Sequence, residues 1–138
     1  MNTINNVTSS LVADADRRVQ FLPRFFSRYM LKVEARFFAQ MGKLCDSYHG
    51  GYWNFYELSN GGAFMAPASD KPLLIDVEGN GYHGSLSAEA AGITATLFAL
   101  SRLSFQHPEA ELLAERFYQL REFALDHPEA SGIFAAID

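Results

Sequence analysis

Residues 50–62, GGYWNFYELSNGG, followed by AFMA at 63–66, form the most informative structural pattern in this chain. Alternation along a strand places Trp53 and Phe55 on one face and Tyr52, Asn54 and Tyr56 on the other. The residues at 60–62, Asn-Gly-Gly, accept positive φ and are typical of a tight turn. The stretch therefore predicts a β-hairpin that pairs residues 52–58 with 63–66.

A second hairpin is predicted directly after the first. Leu73, Ile75 and Val77 alternate with polar residues, which is the pattern of a half-buried strand. The segment Gly-Asn-Gly at 79–81 then turns the chain into residues 82–86. The two hairpins together predict a small antiparallel β-meander of three to four strands.

About four helices are predicted in the segments before and after these strands. Apolar residues recur every three or four positions from 24 to 44, and Pro23 suits the first turn of that helix. Ser87 is a good N-cap for a largely apolar helix over 88–103. The motif His-Pro-Glu-Ala occurs at 107–110 and again at 127–130. Each copy predicts a helix start with proline at the first helical position. The predicted fold class is α+β.

Length and composition favour one domain. The chain has 138 residues, 49% of them hydrophobic, and a single cysteine, Cys45. We expect residues 1–20 to be flexible or loosely ordered and 21–138 to form a single domain. One cysteine permits no internal disulfide, and the sequence shows neither a secretion signal nor an apolar run long enough to span a membrane. These features predict a soluble, cytoplasmic protein.

Charge is distributed unevenly along the chain. Residues 1–43 carry a net charge of +4, whereas residues 44–138 carry −9. The favoured interpretation is attraction between the two halves within the molecule. The alternative is that the asymmetry steers a charged partner.

Catalytic and metal sites find little support in the sequence. Cys45 and His49 are spaced to touch one metal ion, but zinc needs more ligands than this pair supplies. Asp76 and Glu78 share a strand face and could form a glycosidase-like carboxylate pair, but an exposed polar face explains the same pattern more often. The sequence predicts no enzyme activity, no metal and no cofactor. A small hydrolase built on Cys45 and a histidine remains a weaker alternative.

DNA is considered both as a binding partner and as a molecule that the protein could mimic. Basic and aromatic residues interleave over 24–29, which is compatible with DNA contact, although the net charge of −5 opposes it. A compact chain of this length is roughly 37 Å across, and duplex DNA of that length carries about 22 negative charges. The 16 acidic residues, offset by 11 basic ones, are too few for broad DNA mimicry.

Two surfaces are candidates for binding a protein partner. The first hairpin presents aromatic side chains of the kind enriched at interfaces, with polar groups beside them. The acidic C-terminal end is the second candidate. The alternative for the hairpin is that one aromatic face is core and a helix covers the other. The candidate residues are Tyr52, Trp53, Asn54, Tyr56, Glu57, Asn60, Asp126, Glu129 and Asp138.

Three blocks of the sequence resemble the ArdB/KlcA-type antirestriction family. The blocks are residues 50–62, residues 86–93 with 95–100, and residues 123–130 continuing through 133–138. They occur in order and span most of residues 21–138. Segment 69–84 and the N-terminus match least well.

The resemblance implies a function and a partner. It implies a small α+β accessory protein of plasmids, phages and genomic islands that inhibits type I restriction endonucleases and so protects incoming DNA. It implies no enzyme activity and no mimicry of DNA, and it supplies no established active site. We expect inhibition to act by protein contact with the restriction complex or by interference with its movement along DNA. The alternative function is a DNA-binding accessory protein that uses the basic helix from Arg24 to Lys43.

Overall fold

A computed structural model describes residues 6–138 of the chain. The expected α+β class is confirmed, with antiparallel strands and flanking helices around one hydrophobic core. The helices are α1 (Ala15–Phe26), α2 (Met30–Leu44), α3 (Ala88–Gln106), α4 (Glu111–Leu125) and α5 (Ala130–Ile137). The strands are β1 (Ser9–Leu11), β2 (Trp53–Leu58), β3 (Ala63–Pro67), β4 (Leu73–Val77) and β5 (Tyr82–Leu86).

Both predicted hairpins form. Strand β2 pairs with β3 from Trp53 opposite Pro67 to Glu57 opposite Ala63, and Gly61 turns the chain at φ +94°. Strand β4 pairs with β5 across the turn that contains Gly81. The strands do not join into one meander, because β1 adds to β2 and makes a three-stranded sheet while β4 and β5 form a separate pair.

Helix α3 is the centre of the molecule. It is buried along most of its length and packs against α2, α4 and β3. Gly92 permits the close approach to β3, because a Cβ at this position would overlap the carbonyl oxygen of Met65 and the backbone of Ala66. The predicted N-cap is confirmed, since Ser87 Oγ accepts the N–H of Ala90 at 3.0 Å.

The N-terminal segment differs from the prediction. Residues 9–20, expected to be loosely ordered, contain β1 and the first half of α1, and residues 1–5 lie outside the described part of the chain. Asp14 caps α1 by accepting the N–H of Arg17 at 3.1 Å. The single helix predicted from residue 24 is two helices, separated by a short 3₁₀ turn at Ser27–Tyr29. Pro23 therefore lies near the end of α1 and not in a first turn.

The two His-Pro-Glu-Ala motifs form β-turns, so the prediction that helices start at their prolines is wrong. The carbonyl of His107 accepts the N–H of Ala110 at 2.9 Å, and that of His127 accepts the N–H of Ala130 at 3.0 Å. The prolines at 108 and 128 occupy the second position of these turns, which proline also favours. Helices α4 and α5 consequently begin at Glu111 and Ala130, three and two residues after the prolines.

Within residues 6–138, no helix combines the length and the apolar character that crossing a membrane requires.

Candidate functional site

The first hairpin has one face in the core, as strand alternation predicts. The Trp53 ring meets Phe37 of α2 edge-on at 4.7 Å between centroids. Phe55 stacks on Phe21 of α1 at 4.5 Å. Trp53 is half-buried and holds β2 against α2, while Phe55 holds the same strand against α1.

Tyr52 precedes β2 and is exposed to 64%. The Arg18 guanidinium lies over its ring at 4.4 Å from the centroid and over Phe55 at 4.6 Å. Arg18 also donates to the carbonyl of Trp53 at 2.8 Å. The arrangement is a cation–π contact that joins α1 to the start of the hairpin.

Glu57 lies further along β2 and faces the basic segment. Its Oε2 accepts from Arg17 at 2.6 Å and from Arg24 at 3.3 Å. These two ion pairs account for part of the expected attraction between the basic and acidic halves of the chain.

Asn60 anchors the turn of the hairpin to α4. Its Nδ2 donates to the carbonyl of Gln119 and to Glu122 Oε1, both at 2.9 Å, and the Gln119 amide donates back to the Asn60 carbonyl at 3.0 Å. Arg116 adds a donor to the Gly61 carbonyl at 3.1 Å. Burial of Arg116 lowers the pKa of its guanidinium.

Helices α3 and α4 cover the opposite face of the hairpin at β3, where Phe64 is fully buried and stacks on Phe123 at 5.8 Å. The β2 part of this face borders a surface that we call the Ser87–Glu89 cleft. It consists of two depressions of about 300 and about 460 Å³, and Ser87 and Glu89 line both. The smaller depression contains Asn54 and Tyr56, and the larger contains Asp126 and Glu129. The structure thus brings together four candidate residues from two distant parts of the sequence. The lining residues named here are Asn54, Tyr56, Asp70, Lys71, Ser87, Glu89, Phe123, Asp126, His127 and Glu129.

Tyr56 forms part of the wall of the cleft. Its ring stacks on Phe64 of β3 at 4.6 Å between centroids. Burial raises the pKa of the Tyr56 phenol, the carboxylate of Glu89 raises it further, and the neighbouring Asn54 amide works in the opposite direction. The phenol therefore stays protonated and can donate or accept a hydrogen bond at the cleft.

A hydrogen-bond network that the sequence did not predict crosses the larger depression. Glu129 Oε2 accepts from the Ser87 hydroxyl at 2.5 Å, and Oε1 accepts from the Ser87 N–H at 2.9 Å. His127 Nε2 lies 2.7 Å from Glu89 Oε2, while its Nδ1 accepts the N–H of Glu129 at 3.0 Å. Because Nδ1 is an acceptor, the neutral ring carries its proton on Nε2 and donates to Glu89.

This network joins helix ends and lacks the connections of a nucleophile. The Ser87 hydroxyl bonds to a carboxylate, and within the described residues His127 makes its side-chain bonds to Glu89 and Glu129. A serine nucleophile needs its hydroxyl bonded to a base that is itself oriented by a third group. Among residues 6–138, the His, Cys, Asp and Glu side chains form no group of three able to hold a metal ion. Cys45 is buried at 1% exposure.

Asp138 lies apart from the cleft. It lines a separate groove of about 230 Å³ between α3, α4 and α5. Arg121 lies in the same groove, with its guanidinium 5.5 Å from the Phe134 ring centroid. The candidate residues therefore divide into four in the cleft (Asn54, Tyr56, Asp126, Glu129), four in contacts around the hairpin (Tyr52, Trp53, Glu57, Asn60) and Asp138.

Comparison with known proteins identifies the family. A model of the antirestriction protein family matches residues 46–138, which is more than half of the chain. The chain belongs to the antirestriction protein family. The matched range holds all nine candidate residues and both hairpins, and the resemblance stated from the sequence is confirmed.

Relatives match over nearly the whole chain. The antirestriction protein KlcA of Escherichia coli is 49% identical, over 96% of this chain and 94% of its own length. YfjX of Escherichia coli K12 is 43% identical, over 89% of this chain and 83% of its own length. The family relationship thus includes the N-terminal helices as well as the segment that the family model matches.

A solved structure shares the fold. It matches this chain with a TM-score of 0.90 and 49% identity, and the match covers all of both chains. That structure belongs to work on the KlcA and ArdB proteins, which show a novel fold and antirestriction activity against type I DNA restriction systems in vivo but not in vitro. The α+β arrangement of hairpins and helices is therefore a fold of this family.

Proposed function

We propose that this protein inhibits type I restriction endonucleases in the cell and so protects incoming plasmid, phage or genomic-island DNA. The observation that carries the proposal is the full-length match to the KlcA and ArdB structure, whose proteins act against type I systems in vivo. The same proposal places the protein in the cytoplasm, where restriction occurs. It assigns the protein no enzymatic step.

The proposed mechanism is contact with a protein, because the charge of the surface does not suit broad DNA mimicry. Several acidic side chains are bonded within the molecule: Glu57 to two arginines, Glu89 to His127, and Glu129 to Ser87. The two arginines offset the charge of Glu57, which lowers the free negative charge of the surface further. A mimic of duplex DNA needs roughly one exposed negative charge per 1.7 Å of its length.

The Ser87–Glu89 cleft is the contact surface that we assign to the partner. It offers a phenol, an amide and carboxylates beside the apolar side chain of Phe123. Interfaces of this kind combine a buried aromatic anchor with polar groups around it. The network below the cleft holds Glu89 and Glu129 in fixed positions before any partner binds.

The partner is the type I restriction–modification complex, reached directly or through another cellular component. For the KlcA and ArdB proteins, activity was seen in vivo and not in vitro. We therefore expect this chain alone to leave DNA cleavage by a purified type I enzyme unchanged. Addition of extract from the host cell is expected to restore the inhibition.

DNA binding by the basic helix from Arg24 to Lys43 is the second candidate, and the net charge of −5 weighs against it, as do the internal contacts of Arg24 and of the neighbouring arginines of α1. Arg17 and Arg24 are paired with Glu57, and Arg18 is held over the Tyr52 ring. If DNA were the partner, log affinity would fall linearly with log salt concentration. We expect no such binding to a DNA duplex at physiological salt.

The test is the plating efficiency of unmodified phage on a host with an active type I system, with and without this protein. A host that lacks the system serves as the control, and methylation of the phage progeny is followed in parallel. We expect plating to rise on the restricting host alone, with methylation unaffected. No rise, with the protein folded and present in the cell, would contradict the proposal.

A further inference from the structure

Helix α2 has an outer face that nothing within residues 6–138 covers. Its core side holds Val33, Phe37, Met41 and Leu44, whereas Lys32, Ala35 and Ala39 are exposed. A depression of about 360 Å³ separates this face from the end of α3. Its lining contains no acidic residue. The lining residues are Lys32, Ala35, Arg36, Ala39, Leu103 and Gln106.

The cations on this face differ from those of α1. Arg17 and Arg24 both pair with Glu57, but Lys32 and Arg36 form no ion pair with any carboxylate of the described chain. Leu31, on the next row of the helix, is exposed to 68%. This face of α2 is thus positively charged, with the small side chains of Ala35 and Ala39 between the cations and the exposed Leu31 beside them. No part of the described chain packs against it.

Helix α4 carries the complementary face. Leu113, Leu120 and Ala124 point into the core, and the opposite side of the helix is acidic and apolar. Tyr118 is exposed to 67% and Leu125 to 52%. The exposed residues on this side are Glu111, Glu115, Tyr118, Glu122 and Leu125. Within residues 6–138, Glu111 forms no ion pair, whereas Glu115 pairs with the neighbouring Arg116 at 3.3 Å and Glu122 accepts from the Asn60 amide at 2.9 Å.

The two faces have the same spacing. On α2, Lys32, Arg36, Ala39 and Lys43 follow one another at intervals of four, three and four residues. On α4, Glu111, Glu115, Tyr118 and Glu122 follow at the same intervals. Two helices laid side by side in the same direction would place each cation opposite a carboxylate. The exposed Tyr118 ring would then lie over the small side chain of Ala39.

We propose that α4 of one copy of this protein docks on α2 of a second copy. The partner is a second copy because the same chain supplies both the unpaired cations and a carboxylate row of matching period. The contact uses different patches on the two copies, so it is head-to-tail and leaves a free α2 face at one end and a free α4 face at the other. It is distinct from the Ser87–Glu89 cleft and does not depend on the proposed function.

The association is expected to be weak and dependent on salt. Each helix has 15 residues and is about 22 Å long, so a single helix pair buries less than the roughly 1,600 Å² of a standard stable interface. Exposed charge pairs are screened over about 8 Å at physiological ionic strength. Dimers and short chains should therefore form at high protein concentration and low salt.

Sedimentation velocity over a range of protein concentrations at low salt tests this contact. The average mass of the parent is expected to rise with concentration. The double variants Lys32→Glu/Arg36→Glu and Glu111→Lys/Glu115→Lys should each associate about tenfold more weakly, because each places like charges opposite one another. An equimolar mixture of the two variants restores opposite charges and should associate like the parent.

Two further variants keep the test independent of folding. Tyr118→Ala removes an exposed side chain and should weaken association without a change in thermal unfolding. Asp16→Lys reverses an exposed charge in the first turn of α1, outside both helix faces and the cleft, and should associate like the parent. A parent that stays monomeric at every concentration would overturn the proposal, as would a mixture that fails to associate. If Lys32→Glu/Arg36→Glu instead abolishes binding to a DNA duplex and the parent does not self-associate, the α2 face serves nucleic acid and the proposal is wrong.

Discussion

Glu129 accepts two hydrogen bonds from Ser87, one from its N–H at 2.9 Å and one from its hydroxyl at 2.5 Å. The same hydroxyl oxygen accepts the N–H of Ala90 and caps α3. One serine therefore fixes the start of α3 and the residue that precedes α5. The two helix ends form the floor of the cleft to which we assign partner binding.

Replacement of this serine is expected to destabilise the protein. Ser87→Ala removes the N-cap and leaves Glu129 without its hydroxyl donor, which should lower the free energy of unfolding by about 1–3 kcal/mol. Urea denaturation measures the loss. Ser85→Ala, an exposed serine of the neighbouring strand, should change stability by less than about 0.5 kcal/mol. Equal effects of the two variants would contradict the role of Ser87.

Two helical glycines should respond to alanine in opposite directions. Gly92→Ala places a methyl group against the backbone of β3, and we expect a loss of about 1–3 kcal/mol or more. Gly42→Ala on α2 meets open space, so the better helix propensity of alanine should raise stability by about 0.5–1 kcal/mol. Thermal and urea unfolding of both variants give the comparison. A neutral Gly92→Ala would show that α3 and β3 are less closely packed than the structure indicates.

Stability is expected to fall in alkaline solution because of two tyrosines. Burial raises the pKa of Tyr48 and Tyr56 above the ordinary value of 10.0. The unfolded chain then loses these protons at a lower pH than the folded chain does, so unfolding releases protons and stability decreases as pH rises above about 10. The double variant Tyr48→Phe/Tyr56→Phe should show a shallower decrease in urea titrations over this range. An unchanged slope would exclude these phenols as the cause.

Local patterns in the sequence are sufficient to predict strands β2 to β5 and helix α3, but not β1. Glycines at the turns and alternation in residues 53–58 and 73–77 predict both hairpins, because these signals lie within a few residues of the structure they determine. Ser87 predicts the start of α3 for the same reason. The break at Ser27–Tyr29 was not predictable from periodicity, since the apolar spacing continues through it.

The cleft depends on contacts between distant residues, and local patterns do not contain them. Asn54 and Tyr56 were predicted as candidates from the hairpin, and Asp126 and Glu129 from the acidic C-terminal end. Their meeting around Ser87 and Glu89 requires bonds such as His127 to Glu89, 38 residues apart. The only local signal is the His-Pro-Glu motif at 127–129, and its pattern predicts a helix start. In the structure it is a turn that aims both His127 and Glu129 at the start of α3.

The most direct test of the central claim compares two charge reversals in the phage plating assay. Asp126→Lys changes the rim of the cleft at an exposed position, where a cation suits the C-terminal end of α4. Glu78→Lys is the matched control on an exposed turn away from the cleft. On the restricting host, we predict that the parent and Glu78→Lys raise the plating of unmodified phage, and that Asp126→Lys loses most of this rise at equal protein level. Full protection by Asp126→Lys would contradict the assignment of the cleft, and no protection by the parent would contradict the antirestriction function itself.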